Sequence, residues 1–336
     1  MIFRIHLPED DEEHMPPLGS EKSITPEQKK VLERWIEEGA NYEKHWSFEK
    51  PIRPGVPAGV AEHPVDSFIL RKLQSEGMTL NQPADKENLL RRASLDLIGL
   101  PPTVKEIDSF LTDDSESAYE QQLDRLLESK HFGERMALEW LDLARYADSN
   151  GFQSDGSRDI WMWREWLIGA FNRNLPFDQF TIEQLAGDLL PNPSEDQVVA
   201  TGFNRNHRLN GEGGRIEEEW FVETVIDRVE TTGSTWMALT LTCARCHDHK
   251  YDPISQQEFY ELFAFFNSVE ESGVLHPRGK FGVNTPPILK VLNEEQKQRK
   301  VNLQKSIQQA EVAVKEAEGS MDSAFEEWKK TERRKV

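Results

Sequence analysis

Apolar residues recur every three or four positions through most of the chain, which is the spacing that places them on one face of an α-helix. One such stripe runs from Val65 through Phe68 and Ile69 to Leu73. The same spacing predicts helices near residues 85–98, 103–112, 117–129, 133–148, 159–173, 178–190, 216–239 and 255–267. Strict alternation of apolar and polar residues is scarce, so the pattern predicts a mainly α fold, a multi-helix domain with few strands.

Another helix is predicted close to the N-terminus. Thr25 is a typical N-cap residue, Pro26 suits the first helical position, and Gly39 is a typical stop. Since one helix cannot bury a core by itself, residues 1–48 are predicted to be the C-terminal part of a domain.

The last helical pattern has a seven-residue repeat. Its apolar positions step alternately by four and three, a spacing typical of a coiled-coil seam. They are Leu303, Ile307, Ala310, Val314, Ala317, Met321, Ala324 and Trp328. The repeat predicts a coiled-coil-like helical arm that has a coiled-coil partner through residues 303–328.

These patterns divide the chain into five parts. Residues 1–48 are the end of a domain, and residues 49–62 are a linker rich in Pro and Gly. Residues 63–275 form the helical domain, 276–290 a loop, and 291–336 the arm. The missing partner elements at both ends indicate a fragment of a larger multidomain protein.

The composition and net charge limit the kinds of molecule that the protein is expected to bind. Of 336 residues, 37% are hydrophobic and 30% charged, and the formal net charge is −20. An acidic protein is a poor match for nucleic acid or an anionic membrane surface, although it suits docking to a basic redox protein. No apolar stretch approaches the roughly 20 residues of a membrane-spanning helix.

The two cysteines of the chain lie three residues apart and are followed by a histidine. Cys243, Cys246 and His247 form a Cys-x-x-Cys-His box, the attachment pattern of c-type haem. Two thiols bond the two vinyl groups on one haem edge, and the adjacent histidine reaches the iron. Three other interpretations are a redox-active disulfide, two inert cysteines, and a zinc knuckle that adds His249.

A second iron ligand would come from the opposite haem face. His249 is too close in sequence to reach that face, so the candidates are His207, in a polar and flexible segment, and Met237, just before the box. His207 is the favoured choice. A loop histidine is usually solvated, which argues against His207. A methionine is more often part of a core, which argues against Met237. An empty sixth position would indicate chemistry at iron rather than electron transfer.

Carboxylates near several tryptophans suggest a second kind of site. Asp142, Arg145 and Asp148 recur every three residues along one predicted helix, and Asp178 follows later. Asp142, Asp148 and Asp178 are therefore candidate catalytic residues in an aromatic-walled cleft for a substrate such as polysaccharide. A structural network of ion pairs explains the same residues.

Two further sets of polar residues have a structural or a ligand-binding interpretation. Asp148, Asn150, Asp155 and Asp159 could supply oxygen ligands to Ca²⁺, although their spacing is not that of an EF-hand. The charged residues that precede the box predict a solvated helix face, from which Arg228 could pair with haem propionates, as could Arg245 in the box.

Five segments resemble a planctomycete family of large secreted cytochrome-c-associated proteins, in their domain of unknown function. They are 242–254 (TCARCHDHKYDPI), 140–148 (WLDLARYAD), 176–180 (PFDQF), 184–191 (QLAGDLLP) and 200–205 (ATGFNR). The likeness covers residues 63–275. Residues 1–48 resemble the tail of the planctomycete-type cytochrome c domain, including its C-terminal helix.

The resemblance implies covalent haem c and a periplasmic or secreted location, with a signal peptide missing from this sequence. It also implies that Met15, in a Met-Pro-Pro loop, would be an axial iron ligand in an intact upstream cytochrome c domain. The function expected is electron transfer by a secreted haem protein. The alternatives are a haem- or carboxylate-dependent enzyme acting on an extracellular substrate, and a non-catalytic scaffold module.

Overall fold

The computed structural model describes residues 2–43, 45–151, 155–210, 212, 214–269, 271 and 284–334. Within them lie the α-helices α1 (Ile2–Ile5), α2 (Pro26–Glu37), α3 (Pro64–Ser75), α4 (Lys86–Ile98), α5 (Val104–Thr112), α6 (Ala118–Leu127), α7 (Lys130–Leu143), α8 (Trp161–Asn172), α9 (Phe177–Ala186), α10 (Glu195–Ala200), α11 (Glu217–Met237), α12 (Gln256–Phe266) and α13 (Glu294–Arg333). Short 3₁₀ helices span Trp46–Phe48, Gly187–Leu189, Thr201–Arg205 and Thr242–Arg245. The mainly α fold is confirmed: in the described part of the chain, the only β pairing is an isolated bridge between Ser149 and Ser157.

The chain divides into two compact units, Met1–Pro83 and Ala84–Val336. This division places α3 with the first unit, whereas the sequence pattern suggested a boundary at residues 62 and 63. In the first unit, α2 begins as predicted, with reciprocal hydrogen bonds between Thr25 and Gln28 that satisfy the free N–H groups of the first turn. The stripe of α3 stays largely exposed, and Val65 is 56% accessible.

The larger core of the second unit forms where α7 and α8 cross. Gly133 of α7 permits this contact, because a Cβ atom there would lie 2.3 Å from the Ile168 carbonyl oxygen. Trp163 and Leu167 of α8 are buried in this core with Phe180 of α9. The motifs 140–148, 176–180 and 200–205 all contribute residues to it, so they help to build the fold.

A smaller core lies between α11 and α12. Val225 and Val229 of α11 pack with Phe259 of α12, and Leu241 and Ala244 complete the cluster. The last two residues flank Cys243, so the predicted haem box is attached directly to this core.

Several predicted helices need correction. The helix expected over 133–148 ends at Leu143, because Arg145 has a left-handed backbone with φ of 58°. The helix expected over 178–190 is α9, which ends at Ala186 and is followed by the 3₁₀ turn Gly187–Leu189. The segment around His207, which the sequence suggested is polar and flexible, has buried side chains, since Asn206, His207 and Leu209 are buried.

The helical arm is confirmed as α13, which is 40 residues long. Its seam is exposed: Leu303 is 54% accessible and Met321 is 71% accessible. Of the predicted loop at 276–290, residues 276–283 lie outside the described residues, and 284–290 are non-helical. No described helix combines the length and the apolarity that crossing a bilayer requires.

Candidate functional site

The Cys243 turn, as we call residues 242–247, joins the region after α11 to α12. The 3₁₀ helix Thr242–Arg245 forms its first part. Leu241 and Ala244 are buried on the inner side, whereas Cys243, Cys246 and His247 are exposed. The core therefore holds the backbone of the turn and leaves all three predicted haem-attachment residues accessible to a large group.

The backbone of the turn spaces the two cysteines three residues apart, one 3₁₀ turn. Side chains three residues apart lie on the same side of a 3₁₀ helix, because it has three residues per turn. Cys243 lies in the 3₁₀ helix and Cys246 directly follows it, and the amide N–H of Cys246 donates to the Cys243 carbonyl at 3.3 Å. Both cysteines are free thiols. The arrangement suits two bonds to one edge of a flat ligand.

His247 has the hydrogen bond that a metal-ligating histidine commonly makes. Its Nδ1 lies 2.7 Å from the Asp248 carbonyl oxygen. That oxygen only accepts, so Nδ1 is the donor and Nε2 is the nitrogen that remains for a metal. Such a contact fixes both the tautomer and the ring orientation of an imidazole ligand.

Neighbouring side chains tie the turn to both flanking helices. Arg245 forms an ion pair with Glu223 of α11. The carbonyl oxygen of Arg245 accepts hydrogen bonds from Tyr260 Oη at 3.1 Å and from Gln256 Nε2 at 3.2 Å, both on α12. The hydrogen bond with Glu223 raises the pKa of Arg245. Arg245 therefore stabilises the turn and is already paired, so a propionate would have to compete with Glu223.

The zinc interpretation has little geometric support. His249 Nδ1 accepts the amide N–H of Asp252 at 2.9 Å, so this nitrogen already has a partner in the segment that follows the Cys243 turn. Across the described residues, no group of three or more His, Cys, Asp or Glu side chains is arranged to hold a metal ion.

The candidates for the second iron ligand differ in accessibility. His207 is only 2% exposed; its Nδ1 lies 3.0 Å from the Arg208 carbonyl oxygen and its Nε2 lies 3.1 Å from Glu271. His207 is therefore not a solvated loop histidine, which was the alternative to iron binding that the sequence left open. Met237 ends α11 and is 46% exposed. Met15 is also exposed, but it belongs to the first unit.

A charged group around the buried Glu271, which we call the Glu271 cluster, comprises Glu271, His207, Arg158, Arg205 and Arg228. Glu271, His207 and Arg228 are buried, and Arg158 and Arg205 are half-buried. Glu271 Oε2 accepts a hydrogen bond from Arg228 Nη2, and Glu271 Oε1 lies 3.1 Å from Arg205 Nη2. Thr285 Oγ1 donates to the same carboxylate at 3.0 Å. Arg158 Nη1 donates to the His207 carbonyl oxygen at 2.8 Å.

Within this cluster, burial and the neighbouring charges shift the pKa of a given group in opposite directions. Burial by itself raises the pKa of Glu271, but His207, Arg205 and Arg228 outweigh it and hold the pKa at about 2. Burial lowers the pKa of Arg228, against the attraction of Glu271. Arg228 is 2% exposed, so the prediction that it lies on a solvated helix face was wrong.

The candidate catalytic carboxylates Asp142, Asp148 and Asp178 are all exposed. Asp142 lies in α7, Asp148 follows that helix, and Asp178 lies in α9. Asp148 accepts a hydrogen bond from Tyr146 Oη at 2.6 Å. Arg145 turns away from α7 and forms a bidentate pair with Asp227 of α11.

Two of the four residues proposed for Ca²⁺, Asn150 and Asp155, make side-chain contacts with the backbone. Asn150 is buried and exchanges two hydrogen bonds with the backbone of Leu209, at 2.8 and 2.9 Å. Asp155 Oδ1 accepts the Gly151 N–H at 2.7 Å. Oδ1 of Asn150 and Oδ1 of Asp155 therefore each already accept a backbone N–H.

Sequence reasoning missed the Glu271 cluster. Its one available signal was the presence of His207 between Arg205 and Arg208, a concentration of cationic residues in a segment with buried Leu209. Glu271 lies 64 positions from His207 and 43 from Arg228, so no local pattern relates them.

Comparison with known proteins gives one family. The family model described as PSCyt2, protein of unknown function (DUF1549), matches residues 64–271, which is more than half of the chain. The match includes the Cys243 turn and ends at Glu271. No curated protein and no solved structure matches the chain.

Proposed function

We propose that this chain, which belongs to the PSCyt2 family of proteins of unknown function, carries a covalently bound c-type haem and transfers electrons. The observation that supports the proposal best is the Cys243 turn. It combines two exposed thiols at 3₁₀ spacing with a histidine whose Nδ1 is bonded to a backbone carbonyl.

The chain's own residues would have distinct roles in this attachment. Each of Cys243 and Cys246 would add its sulfur to one vinyl group, with the thiol proton passing to the other vinyl carbon, so that one thioether forms per cysteine. His247 would bind the iron through Nε2. The bound group would supply a one-electron carrier whose potential depends on its axial ligands.

For the sixth position we favour Met237 over His207. The Met237 side chain is exposed and ends the helix that leads to the turn. His207 would have to leave Glu271, and the buried carboxylate and Arg228 would lose a neighbour. Such a loss is costly because unsatisfied charges in a protein interior are strongly destabilising.

Partner and location follow from the same proposal. Haem c is attached outside the cytoplasm, so the protein would be periplasmic or secreted. With a net charge of −20, its redox partner would be a basic protein, and the association would weaken as salt increases.

A scaffold role is supported separately by α13. We propose that its exposed seam pairs with α13 of a second copy in antiparallel orientation. If Leu303 faces Met321, and Ala310 faces Val314, then segment 297–305 of one helix lies beside 319–327 of the other. The first segment has four basic residues and no acidic residue, and the second has three acidic residues and no basic residue. A parallel pair would place like charges together.

Reversing charges tests this pairing. The triple variant Arg299→Glu, Lys300→Glu and Lys305→Glu should convert a dimer to a monomer in sedimentation experiments. Adding Asp322→Lys, Glu326→Lys and Glu327→Lys should restore the dimer. A monomeric unaltered protein, or no rescue by the second set of changes, would overturn the antiparallel pairing.

Haem attachment is tested by expression together with cytochrome c maturation factors. A haem stain on a denaturing gel and a pyridine haemochrome spectrum should report covalent haem with two thioether bonds. Cys243→Ser and Cys246→Ser should each leave at most one thioether, and the exposed neighbour Thr240→Ser should have no effect. An unaltered protein that emerges without covalent haem would refute the proposal.

A further inference from the structure

A cavity of about 420 Å³ lies in the second unit, among residues that the proposed haem function does not use. Its described wall includes the buried apolar residues Ile160, Val199 and Leu209. Ile288 and Leu289 also line it, and both are half-exposed. An apolar cavity of about 150 Å³ is already large enough to bind benzene. The cavity therefore has room for a small apolar molecule.

Close contacts at two glycines fix part of this wall. A Cβ atom on Gly202 would lie 2.7 Å from Trp163 Cβ, so glycine permits the close approach of these two wall residues. A Cβ atom on Gly187 would collide with the carbonyl oxygen of Gln197, which lies in α10 beside Val199. The wall is therefore held by packing within the protein, as in most small-molecule sites.

The segment that begins at Asn284 forms another side of the cavity. Arg205 donates to the carbonyl oxygens of Thr285 and Pro287, at 2.6 and 3.0 Å. The Asn284 side chain exchanges two hydrogen bonds with the backbone of Asp159, at 3.2 and 2.8 Å. These contacts hold the segment in place without help from a ligand.

Three charged side chains of the wall already have partners, namely Arg158, Arg205 and Glu271. Both Nη atoms of Arg158 donate to backbone carbonyl oxygens, and so do both Nη atoms of Arg205. Both carboxylate oxygens of Glu271 are bound within the Glu271 cluster or by Thr285. An ionised ligand would have to compete with these partners.

Uncharged polar groups of the wall are also engaged. Thr201 Oγ1 donates to the Val198 carbonyl oxygen at 2.7 Å, and Thr285 Oγ1 donates to Glu271 at 3.0 Å. Nε1 of Trp163 is closed off from solvent, so it offers no donor to a molecule in the cavity. The described wall therefore presents mainly apolar surface to an occupant.

Two carboxylates complete the charged part of the described wall. Asp159 and Asp188 line the cavity, and both are exposed, so water solvates their charges. They disfavour an anion. A cation would still lose its own hydration on entering a space surrounded by apolar groups. An uncharged occupant avoids both costs.

We propose that this cavity binds a small uncharged apolar molecule, such as an aromatic hydrocarbon. Its body lies against Ile160, Val199 and Leu289, and the burial of apolar surface drives binding. The site is independent of haem attachment, because none of its residues belongs to the Cys243 turn.

Three molecules with one aromatic ring test the proposal on the unaltered protein. Toluene, benzoate and benzylammonium are titrated by calorimetry in a sealed cell, and they differ in charge. Toluene should bind saturably, and the two ions at least about tenfold more weakly, because each must lose hydration of its charge. No saturable binding of toluene, or an affinity for either ion within about tenfold of that for toluene, would overturn the proposal.

Two variants locate the binding. Leu289→Trp fills the cavity from a half-exposed position and should abolish toluene binding. Leu143→Trp, at a position of similar exposure outside the cavity, should leave it unchanged. Undiminished binding of toluene to a folded Leu289→Trp protein would place the molecule elsewhere and refute this site.

A third variant tests whether charge takes part in recognition. Asp188→Asn removes an exposed charge from the wall and should change the affinity for toluene by less than about twofold. A larger change would show that this carboxylate contributes to binding and would contradict an uncharged ligand class.

Discussion

Nε2 of His207 lies 3.1 Å from Oε2 of Glu271, although the two residues are 64 positions apart in sequence. The same carboxylate oxygen accepts a hydrogen bond from Arg228 of α11, and Glu271 itself follows α12. The Glu271 cluster therefore connects the two helices on either side of the Cys243 turn. A rigid connection of these helices would hold the two thiols at a constant position relative to the core.

Replacing Glu271 by Gln should destabilise the protein by about 3–5 kcal/mol, because it removes the counter-charge of a buried arginine. Urea unfolding followed by circular dichroism measures the change. Glu223→Gln is the matched control, since it breaks the partly exposed pair with Arg245 and should reduce stability by about 0.2–1 kcal/mol. Similar losses for both variants would contradict a special contribution from the cluster.

Acid should weaken the fold through Glu271. Its pKa is about 2 in the folded protein and 4.5 for an unperturbed carboxyl, so the native state favours the ionised form. The resulting stabilisation is fully present above pH 4.5 and is lost as the pH falls from there through about 2. Unfolding midpoints measured through this range should fall less steeply in Glu271→Gln than in the unaltered protein. Identical slopes would be evidence against the depressed pKa.

Two glycine-to-alanine substitutions should change stability in opposite directions. Gly133→Ala places a Cβ atom 2.3 Å from the Ile168 carbonyl oxygen, so α7 and α8 must separate, at a cost of about 1–3 kcal/mol. Gly319→Ala, inside α13, meets no atom within 4 Å and should stabilise that helix by about 0.5–1 kcal/mol. Thermal unfolding measures the first change, and helical circular dichroism the second. A stabilised Gly133→Ala protein would refute the close crossing of α7 and α8.

Met237→Ala should open the sixth coordination position of the haem-loaded protein. We expect the optical spectrum to change from low-spin to high-spin, and added imidazole to bind more tightly, because the proposed thioether ligand is absent. Met78→Ala provides a control, since this methionine is also exposed but belongs to the first unit. An unchanged low-spin spectrum in Met237→Ala would eliminate Met237 as the ligand.

The sequence by itself determined the helices and the box. The capping pattern at Thr25 located the start of α2, and three- and four-residue spacing located most of the longer helices to within a few residues. These features are local, since helical hydrogen bonds and caps join residues only three or four positions apart. The Cys-x-x-Cys-His spacing is local as well, so it was visible without any structure.

Only the tertiary structure decided which charged residues are buried and how they pair. Arg228 looked like part of a solvated helix face, and His207 like a residue of a flexible loop, yet both surround Glu271. Arg145 left the predicted stripe because its backbone is left-handed, and it reached Asp227, 82 positions away. The free energy of a charge depends on its burial and its counter-charges, and packing between distant helices sets both.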